Sequence, residues 1–256
     1  MDTIQESVRA KYAETAIKLR NGASCCDPNC CGGSDAASGP IGADEYSEAE
    51  VADLGLSLGH SLGCGNPTAL AQLHPGEIVL DLGSGAGLDV LLSARRVSPG
   101  GHAYGVDMTD EMLALASENK ARAGVANATF LKGTMEAIPL PGAAVDVVIS
   151  NCVINLAADK TAVLKEAFRV LKPGGRLALS DMVELEPLPP HLKSAMDAWA
   201  GCVAGTIPVD AYRAAVLDAG FETVQIEITN SFGPGEAGLP DGSGRIGSAS
   251  VRASKR

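Results

Sequence analysis

Short apolar runs alternate with amphipathic segments along the central part of the chain. Five runs rich in Val, Ile, Leu and Ala predict strands at 78–81, 102–107, 128–132, 145–151 and 176–181. Apolar residues at helical spacing between them predict helices at 88–97, 110–123 and 160–171. The pair Gly174-Gly175 is expected to end the third helix, since glycine is common just after a helix. Strands that alternate with helices in this way predict a parallel α/β sheet.

The two ends of the chain follow different patterns. Residues 1–20 have the apolar spacing of an amphipathic helix, whereas residues 21–43 are rich in Gly, Ser, Pro and Asp and predict a loop. Beyond Asp181 the pattern predicts helices at 191–204 and 209–219 and strands at 222–229 and 248–252. We expect the last two strands to form an antiparallel hairpin at one edge of the sheet.

Composition and charge narrow the classes of partner. A chain of 256 residues fits one large domain, or one domain with a modest appendage. Thirty-one Asp and Glu against twenty Lys and Arg give a net charge of -11, which repels phosphate backbones and anionic lipid. The first residues lack the apolar stretch of a signal peptide, and no apolar run approaches the roughly 20 residues of a membrane-spanning helix. We therefore expect a cytoplasmic protein that binds neither nucleic acid nor membrane.

The first strand runs into a glycine-rich loop with the sequence VLDLGSGAGLDVLL. Its candidate ligand residues are Asp81, Gly83, Ser84 and Gly85. Glycine lets the backbone approach a ligand closely, and the helix that follows directs its first N–H groups to the same place. The G-x-G-x-G spacing has Leu88 where a dinucleotide fingerprint has glycine, and the loop lacks the Lys-Ser/Thr pair of a P-loop. The loop therefore suits a nucleoside without a pyrophosphate, and Asp81 is placed to meet a cationic amino-acid group.

Polar and methionine side chains follow the next three strands. Asp107 ends the second strand, where a carboxylate accepts hydrogen bonds from ribose hydroxyls, and Met108 is placed to lie against adenine. Met135 and Glu136 follow the third strand and are expected to line the adenine end. The alternative is that Asp107 and Glu136 are solvated acids at strand ends. Asn151, at the end of the fourth strand, either binds a cofactor amino group or caps the strand.

Four stretches together resemble the motifs of class I S-adenosylmethionine-dependent methyltransferases: DLGSGAGLD, GVDMT, DVVISN and RVLKPGGRL. The resemblance covers about residues 78–181. It implies a Rossmann-like α/β fold with a seven-stranded, mostly parallel sheet and a reversed last strand. It also implies S-adenosylmethionine as the cofactor.

The chain has seven cysteines: Cys25, Cys26, Cys30, Cys31, Cys64, Cys152 and Cys202. A static disulfide framework is not expected in a reducing compartment. Cys152 follows the fourth strand, Cys64 lies in SLGCGNP before the first, and Cys202 lies in AWAGCVAG after the fifth. Thiolates suit soft ions, so three thiols bordering one crevice predict a shared ligand set. The alternative is that each is a separate buried cysteine of the core.

SLGCGNP, ISNCVINL, AWAGCVAG and an upstream SCC segment resemble the arsenite methyltransferase family, from the first helix to about residue 230. The resemblance implies that Cys152 and Cys202 bind As(III) and that Cys64 supplies a third thiolate. It places the upstream redox cysteine at Cys25 or Cys26, and Cys25 matches better by position. Leu62 stands where many relatives have tyrosine.

The resemblance implies methylation of trivalent arsenic, as in arsenic detoxification. The lone pair of As(III) attacks the sulfonium methyl, so no general base is needed. Methylation raises arsenic to the pentavalent state, and a disulfide between Cys25 and Cys64, reopened by glutathione or thioredoxin, would return two electrons. For the cluster that includes Cys26, Cys30 and Cys31, redox or arsenite-trapping functions, a zinc site without the usual C-x₂₋₄-C spacing, and no defined role stay open.

We expect three segments: 1–70, with the N-terminal helix, Cys-rich loop and substrate-capping segment; 71–181, the cofactor-binding Rossmann-like core; and 182–256, with an arsenic-binding helical segment and the closing strands. Two other functions stay open. One is a carbon or oxygen methyltransferase of quinone or sterol type, and the other is a non-catalytic arsenic- or zinc-binding protein.

Overall fold

The computed structural model describes residues 3–20, 46, 48–56, 65–194, 203–237 and 239–256. Within these ranges, three helices precede the first strand: α1 (Thr3–Arg20), α2 (Glu48–Asp53) and α3 (Pro67–Leu70). The strands are β1 (Ile78–Leu82), β2 (His102–Asp107), β3 (Ala128–Lys132), β4 (Val145–Asn151), β5 (Leu171–Glu184), β6 (Glu222–Phe232) and β7 (Ile246–Ser254). The other helices among the described residues are α4 (Leu88–Arg96), α5 (Asp110–Ala123), α6 (Lys160–Val170), α7 (Pro190–Ser194) and α8 (Val209–Asp218), with a short 3₁₀ turn at Ile154–Leu156.

The strands form one seven-stranded sheet in the order β3-β2-β1-β4-β5-β7-β6. Strands β1 to β5 pair in parallel, and β7 is antiparallel to both β5 and β6. The predicted α/β fold with a reversed last strand is confirmed, and so is the terminal antiparallel hairpin. Because β1, β2 and β4 are parallel neighbours, their carboxyl ends meet at one edge of the sheet, where ligands bind in open α/β folds.

Helices cover both faces of the sheet. Leu80 of β1 and Val148 of β4 pack in a cluster with α6 and α8, whereas Val79 and Val147 belong to a second cluster that includes Ala71, just after α3. Successive residues of a strand point to opposite faces, so each strand has apolar neighbours on both sides. This double burial explains why β1 and β4 are almost continuously apolar in sequence.

The third predicted helix ends differently from the expectation. Helix α6 stops at Val170, because Leu171 takes an extended conformation with φ -68° and ψ 137° and begins β5. The prediction that Gly174-Gly175 ends this helix is therefore wrong. The two glycines lie inside the β5 segment, where the N–H of Gly174 donates to the carbonyl of Lys255. Pro173 accounts for the earlier stop, since the residue before proline disfavours the helical conformation.

After β5, the structure has the types of element that the sequence predicts, but the lengths of these elements differ from the prediction. Both closing strands are longer than predicted. Of the helix expected at 191–204, residues 191–194 are helical, whereas Val203 and Ala204 form a bend and a turn, so the predicted end of this helix is wrong. Trp199 lies outside the described residues. Within the described ranges, no helix has both the length and the apolar character needed to cross a bilayer.

Candidate functional site

A cavity of about 550 Å³ opens at the carboxyl ends of β1, β2 and β4. Every residue that the sequence predicts as a cofactor ligand lines it: Asp81, Gly83, Ser84, Gly85, Asp107, Met108, Met135, Glu136 and Asn151. The cavity is large enough for a drug-sized ligand, since such pockets usually measure about 300–1,000 Å³. The structure thus brings these residues together, while the role of each stays a prediction.

The glycine loop approaches its neighbours too closely for any other residue. A Cβ on Gly83, where φ is +67°, would lie 2.3 Å from Cγ1 of Val153. A Cβ on Gly87, where φ is +87°, would lie 2.6 Å from Cζ of Phe130. At both positions the backbone is in the left-handed region, and other atoms already occupy the space that a side chain would need. A side chain at either position would therefore displace Val153 or Phe130.

Asp107 is held by backbone N–H groups on two sides. Gly85 donates to Oδ2 at 2.9 Å, and Thr109 donates to Oδ1 at 2.8 Å. Burial raises the pKa of this carboxyl, and the hydrogen bonds partly oppose that effect. A carboxylate has about four acceptor positions, more than these two hydrogen bonds use, so Asp107 can still accept from a ribose hydroxyl.

Asp81 and Asp89 add two more buried carboxyl groups to the cavity wall. The side chain of Asp81 accepts no hydrogen bond from the described residues, although the residue is only 3% exposed. Burial, followed by the charges of Asp89 and Asp107, raises the pKa of Asp81 well above its usual value. Burial also raises the pKa of Asp89 to about 6, while the Tyr46 hydroxyl, which donates at 2.8 Å, lowers it. Three neighbouring carboxyl groups favour a ligand that carries positive charge.

These features fit S-adenosylmethionine. An uncompensated buried carboxylate at Asp81 matches a cationic ammonium group, and Asp107 retains acceptor positions for a ribose. Met108 and Met135 supply apolar surface in the same cavity. Gly83 and Gly85 line the cavity without a side chain, which permits a ligand to approach the backbone closely.

Several lining residues are absent from the sequence prediction. Helix α1 contributes Gln5, Val8 and Tyr12, which share one helical face at intervals of three and four residues. That spacing indicates that one face of the helix is buried, but it does not indicate what that face packs against. Asp89, in the first turn of α4, resembles an ordinary acid at a helix N-terminus, so its position in the cavity wall gives no signal in the sequence.

Cys152 lies just beyond β4, in a conformation that non-glycine residues seldom adopt. Its φ is +59°, and its N–H donates to the carbonyl of Ser180 at 2.7 Å. The residue is 5% exposed and packs against Met182 and Leu188. Its sulfur is disulfide-bonded. The predicted site residues Cys25, Cys64 and Cys202 lie outside the described residues, as do Cys26, Cys30 and Cys31.

The described neighbours of two predicted thiol ligands lie beside Cys152. Gly65, which follows Cys64, exchanges two hydrogen bonds with the side chain of Asn151, at 3.2 and 2.6 Å. Val203, which follows Cys202, packs against the same apolar cluster as Cys152. Gly65 and Val203 therefore both lie close to the end of β4.

A second buried polar group lies in β5, close to Cys152. The hydroxyl of Tyr212 donates to Oδ2 of Asp181 at 3.0 Å, and the N–H of Met182 donates to Oδ1. Burial raises the pKa of Asp181 to about 7, and the hydrogen bonds and Lys160 oppose that rise. This network fixes the carboxyl end of β5, on which Cys152 depends for its backbone hydrogen bond.

The described residues contain no group of three or more His, Cys, Asp or Glu side chains arranged to hold a metal ion. The cysteines of the predicted zinc alternative lie outside those residues.

Comparison with known proteins identifies methyltransferases. A family profile described as a methyltransferase domain matches residues 73–232. An arsenite methyltransferase of Halobacterium salinarum is 46% identical over 233 residues, which cover 87% of this chain and 58% of that protein. An arsenite methyltransferase of Aquipseudomonas alcaligenes is 41% identical over 152 residues, which cover 57% of this chain and 43% of that protein. The chain therefore spans about half the length of these relatives.

A solved structure gives a similar result. The crystal structure of CrArsM, an arsenic (III) S-adenosylmethionine methyltransferase from Chlamydomonas reinhardtii, superposes with a TM-score of 0.67 at 31% identity. The match covers 84% of this chain and 74% of that chain.

Proposed function

Because the chain belongs to the arsenite methyltransferase family of S-adenosylmethionine-dependent methyltransferases, we propose that it methylates trivalent arsenic held by cysteine thiolates. The observation that carries the proposal is that two described residues lie beside Cys152, and each of them is next in sequence to a predicted ligand cysteine. Gly65 is hydrogen-bonded to Asn151, and Val203 packs in the cluster of Cys152, at the sheet edge where the cofactor cavity opens.

The cofactor side of the site is formed by acidic residues and bare backbone. When bound, S-adenosylmethionine supplies a methyl group activated by the sulfonium charge. Asp107 would hold the ribose, Asp81 the cationic amino-acid portion, and Met108 and Met135 the adenine. The buried carboxyl groups raise the affinity for a ligand of positive charge, because water is largely excluded from them.

The acceptor side needs soft ligands and no proton acceptor. Cys152, Cys202 and Cys64 would replace the three hydroxyl groups of arsenite, with release of three water molecules, and leave As(III) with its lone pair. That lone pair is the nucleophile, so no general base is required. The thiolates hold arsenic in one orientation, which can contribute up to roughly 7–11 kcal/mol to lowering the barrier in well-oriented cases.

The thiol chemistry also requires a reductant. The disulfide at Cys152 must be reduced by two thiols, which become oxidised, before its thiolate can bind arsenic. Methylation raises arsenic to the pentavalent state, and a disulfide formed between Cys25 and Cys64 would return two electrons to arsenic. Glutathione or thioredoxin would then reopen that disulfide, in keeping with a function in arsenic detoxification.

The decisive experiment measures transfer of labelled methyl from S-adenosylmethionine to arsenite in the presence of thiol. Cys152→Ser and Cys202→Ser should each abolish methylation and still bind the cofactor, which shows that the variants are folded. Full activity of either variant would mean that the substituted cysteine is not an arsenic ligand. Transfer to a quinol or sterol precursor instead would favour the carbon or oxygen methyltransferase, and cofactor binding without any turnover would favour a binding protein.

A further variant tests the redox step. Cys25→Ser should block turnover of arsenite more than turnover of an already monomethylated trivalent arsenical. Equal losses of rate on the two substrates would mean that Cys25 does not act in the redox step.

A further inference from the structure

The cofactor cavity contains the buried carboxyl group of Asp89 in addition to those of Asp81 and Asp107. Asp89 lies in the first turn of α4, lines the cavity and is only 8% exposed. A buried carboxylate is costly unless positive charge or hydrogen-bond donors replace the lost water. The proposed function assigns Asp107 to the ribose and Asp81 to the amino group of the cofactor, so Asp89 needs a partner of its own.

Two polar side chains of the cavity wall have no hydrogen-bond partner among the described residues. These are the carboxyl group of Asp81, which is 3% exposed, and the hydroxyl of Ser84, which is 6% exposed. Buried polar groups are nearly always satisfied in a folded protein. The unsatisfied groups therefore indicate that the cavity is completed by a polar ligand.

The carboxyl groups of Asp81 and Asp89 differ in their hydrogen bonds. The hydroxyl of Tyr46 lies 2.8 Å from Oδ1 and 3.0 Å from Oδ2 of Asp89, and Nδ2 of Asn151 donates to Oδ2 at 3.4 Å. An ammonium group has three donors and needs free acceptor positions, which Asp81 provides. A sulfonium has no N–H group and needs only a nearby negative charge. Asp89 fits that need, because its oxygens already accept hydrogen bonds within the protein.

The two carboxyl groups also oppose each other's ionisation. Burial, followed by the charges of Asp89 and Asp107, raises the pKa of Asp81 well above its usual value. Burial raises the pKa of Asp89 to about 6, whereas the hydrogen bonds from Tyr46 and Asn151 lower it. A ligand with two positive centres can compensate both carboxylates, and a ligand with one centre compensates them less. S-adenosylmethionine has two such centres, the ammonium and the sulfonium.

Arg96, at the other end of α4, does not take the place of such a cation. Its charge lowers the pKa of Asp89, but it is the smallest of the causes. Its guanidinium donates to Thr68 at 2.8 Å and to Glu50 at 3.1 Å, and Arg96 does not line the cavity. The cavity side of Asp89 therefore stays available to a positively charged ligand.

We propose that Asp89 is a specificity-determining residue, whose negative charge favours the sulfonium of S-adenosylmethionine over the neutral thioether of S-adenosylhomocysteine. When the methyl group is transferred, the electron pair of the broken bond stays on sulfur, and the acceptor supplies the pair of the new bond. The product has lost one positive charge, which weakens its attraction to Asp89 and helps its exchange for fresh cofactor. The inference rests on the proposed function for the placement of the ribose and the amino group, and its test needs no arsenic.

The experiment compares the affinities of the two ligands. Isothermal titration calorimetry at pH 8, above the pKa of Asp89, measures the dissociation constants of S-adenosylmethionine and S-adenosylhomocysteine for the wild type and Asp89→Asn. We expect the substitution to raise the constant for S-adenosylmethionine about tenfold, because a charge interaction in a partly water-excluded site is lost. The constant for S-adenosylhomocysteine should rise by less than about threefold.

Asp81→Asn is the matched control, because it removes a buried carboxylate that faces the ammonium group common to both ligands. It should raise both dissociation constants by the same factor. Tyr46→Phe removes a hydrogen bond from Asp89 but keeps its charge, and at pH 8 it should also leave the ratio of the two constants unchanged. If the melting temperature shows that Asp89→Asn does not fold, the smaller Asp89→Ser replaces it in the same comparison.

Three outcomes would overturn the inference. The first is an equal loss of affinity for both ligands in Asp89→Asn, which would assign Asp89 to the ammonium group or to the structure of the site. The second is no change for either ligand, and the third is an equal change of the ratio in Tyr46→Phe. A protein that shows the expected ratios but does not methylate arsenite would refute the proposed function and leave the role of Asp89 intact.

Discussion

The carboxylate of Asp107 accepts a hydrogen bond from the backbone N–H of Gly85 at 2.9 Å. This contact joins the end of β2 to the glycine loop that follows β1. One side chain therefore has two functions: it holds the loop in place and presents its remaining acceptor positions to the cavity.

Substitution of Asp107 should weaken cofactor binding by more than the loss of a single contact. Asp107→Ala removes the charged acceptor and releases the loop, so we expect the dissociation constant for S-adenosylmethionine to rise at least tenfold, since a hydrogen bond to a charged group is worth about 1.5–3 kcal/mol. Isothermal titration calorimetry measures this change. Asp110→Ala, three residues further on and exposed, is the control and should bind normally.

Cofactor affinity should increase with pH between pH 5 and pH 8. Burial raises the pKa of Asp89 to about 6 and that of Asp81 well above its usual value, so both are partly protonated in the empty cavity at low pH. A cationic ligand favours the ionised forms. A single group with a pKa near 6 weakens binding by up to about tenfold at pH 5 relative to pH 8. Affinity that is constant over this range would contradict the assignment, and Asp89→Asn should show a smaller dependence than the wild type.

Gly83→Ala should disrupt the glycine loop. The added Cβ would lie 2.3 Å from the side chain of Val153, at a φ of +67°. We expect a loss of cofactor affinity together with a lower melting temperature. Gly124→Ala provides a control for backbone strain alone, because Gly124 has a φ of +63° and nothing within 4 Å of the added atom. Equal effects of the two substitutions would mean that the contact with Val153 is unimportant.

The buried carboxyl of Asp181 should make folding stability depend on pH. Its pKa is about 7 in the folded protein because of burial, against about 3.9 in an unfolded chain. The folded state therefore binds the proton more tightly, and this stabilisation is complete below about pH 4 and is lost as pH rises through 7. The shift corresponds to about 4 kcal/mol. Between pH 4 and pH 8, the free energy of unfolding of the wild type should therefore fall by about this amount relative to that of Asp181→Asn.

Urea unfolding at several pH values measures the difference. Asp241→Asn, which changes an exposed carboxylate, should leave the pH dependence of the wild type unchanged. A constant difference between the wild type and Asp181→Asn would mean that the Asp181 carboxyl keeps an ordinary pKa.

The sequence predicts the sheet well because its signals are local. The apolar runs of β1 and β4 reflect burial on both faces, and the glycines after β1 reflect a backbone that must approach its surroundings closely. The predicted end of α6 was wrong, because the prediction relied on a glycine pair and overlooked the restriction that Pro173 places on the residue before it.

Part of the site could also be predicted from the sequence, because some of its residues have a local signal. Asp81 and Asp107 are recognisable because each ends a strand, and strand ends converge in a parallel sheet. Tyr46, Asp89 and Gly65 meet only through hydrogen bonds across the fold, and no local pattern indicates such contacts. The positions of the other six cysteines stay predictions.

The position of β7 between β5 and β6 has a consequence for biosynthesis. Among the described strands β6 pairs with β7 alone, yet it leaves the ribosome first. Until residues 246–254 have emerged, β6 has no partner and β5 has one unpaired edge, both of which are surfaces prone to association between chains. Completion of the sheet therefore waits for the last strand to be translated, and a nascent chain stalled before it would be a natural client for chaperones.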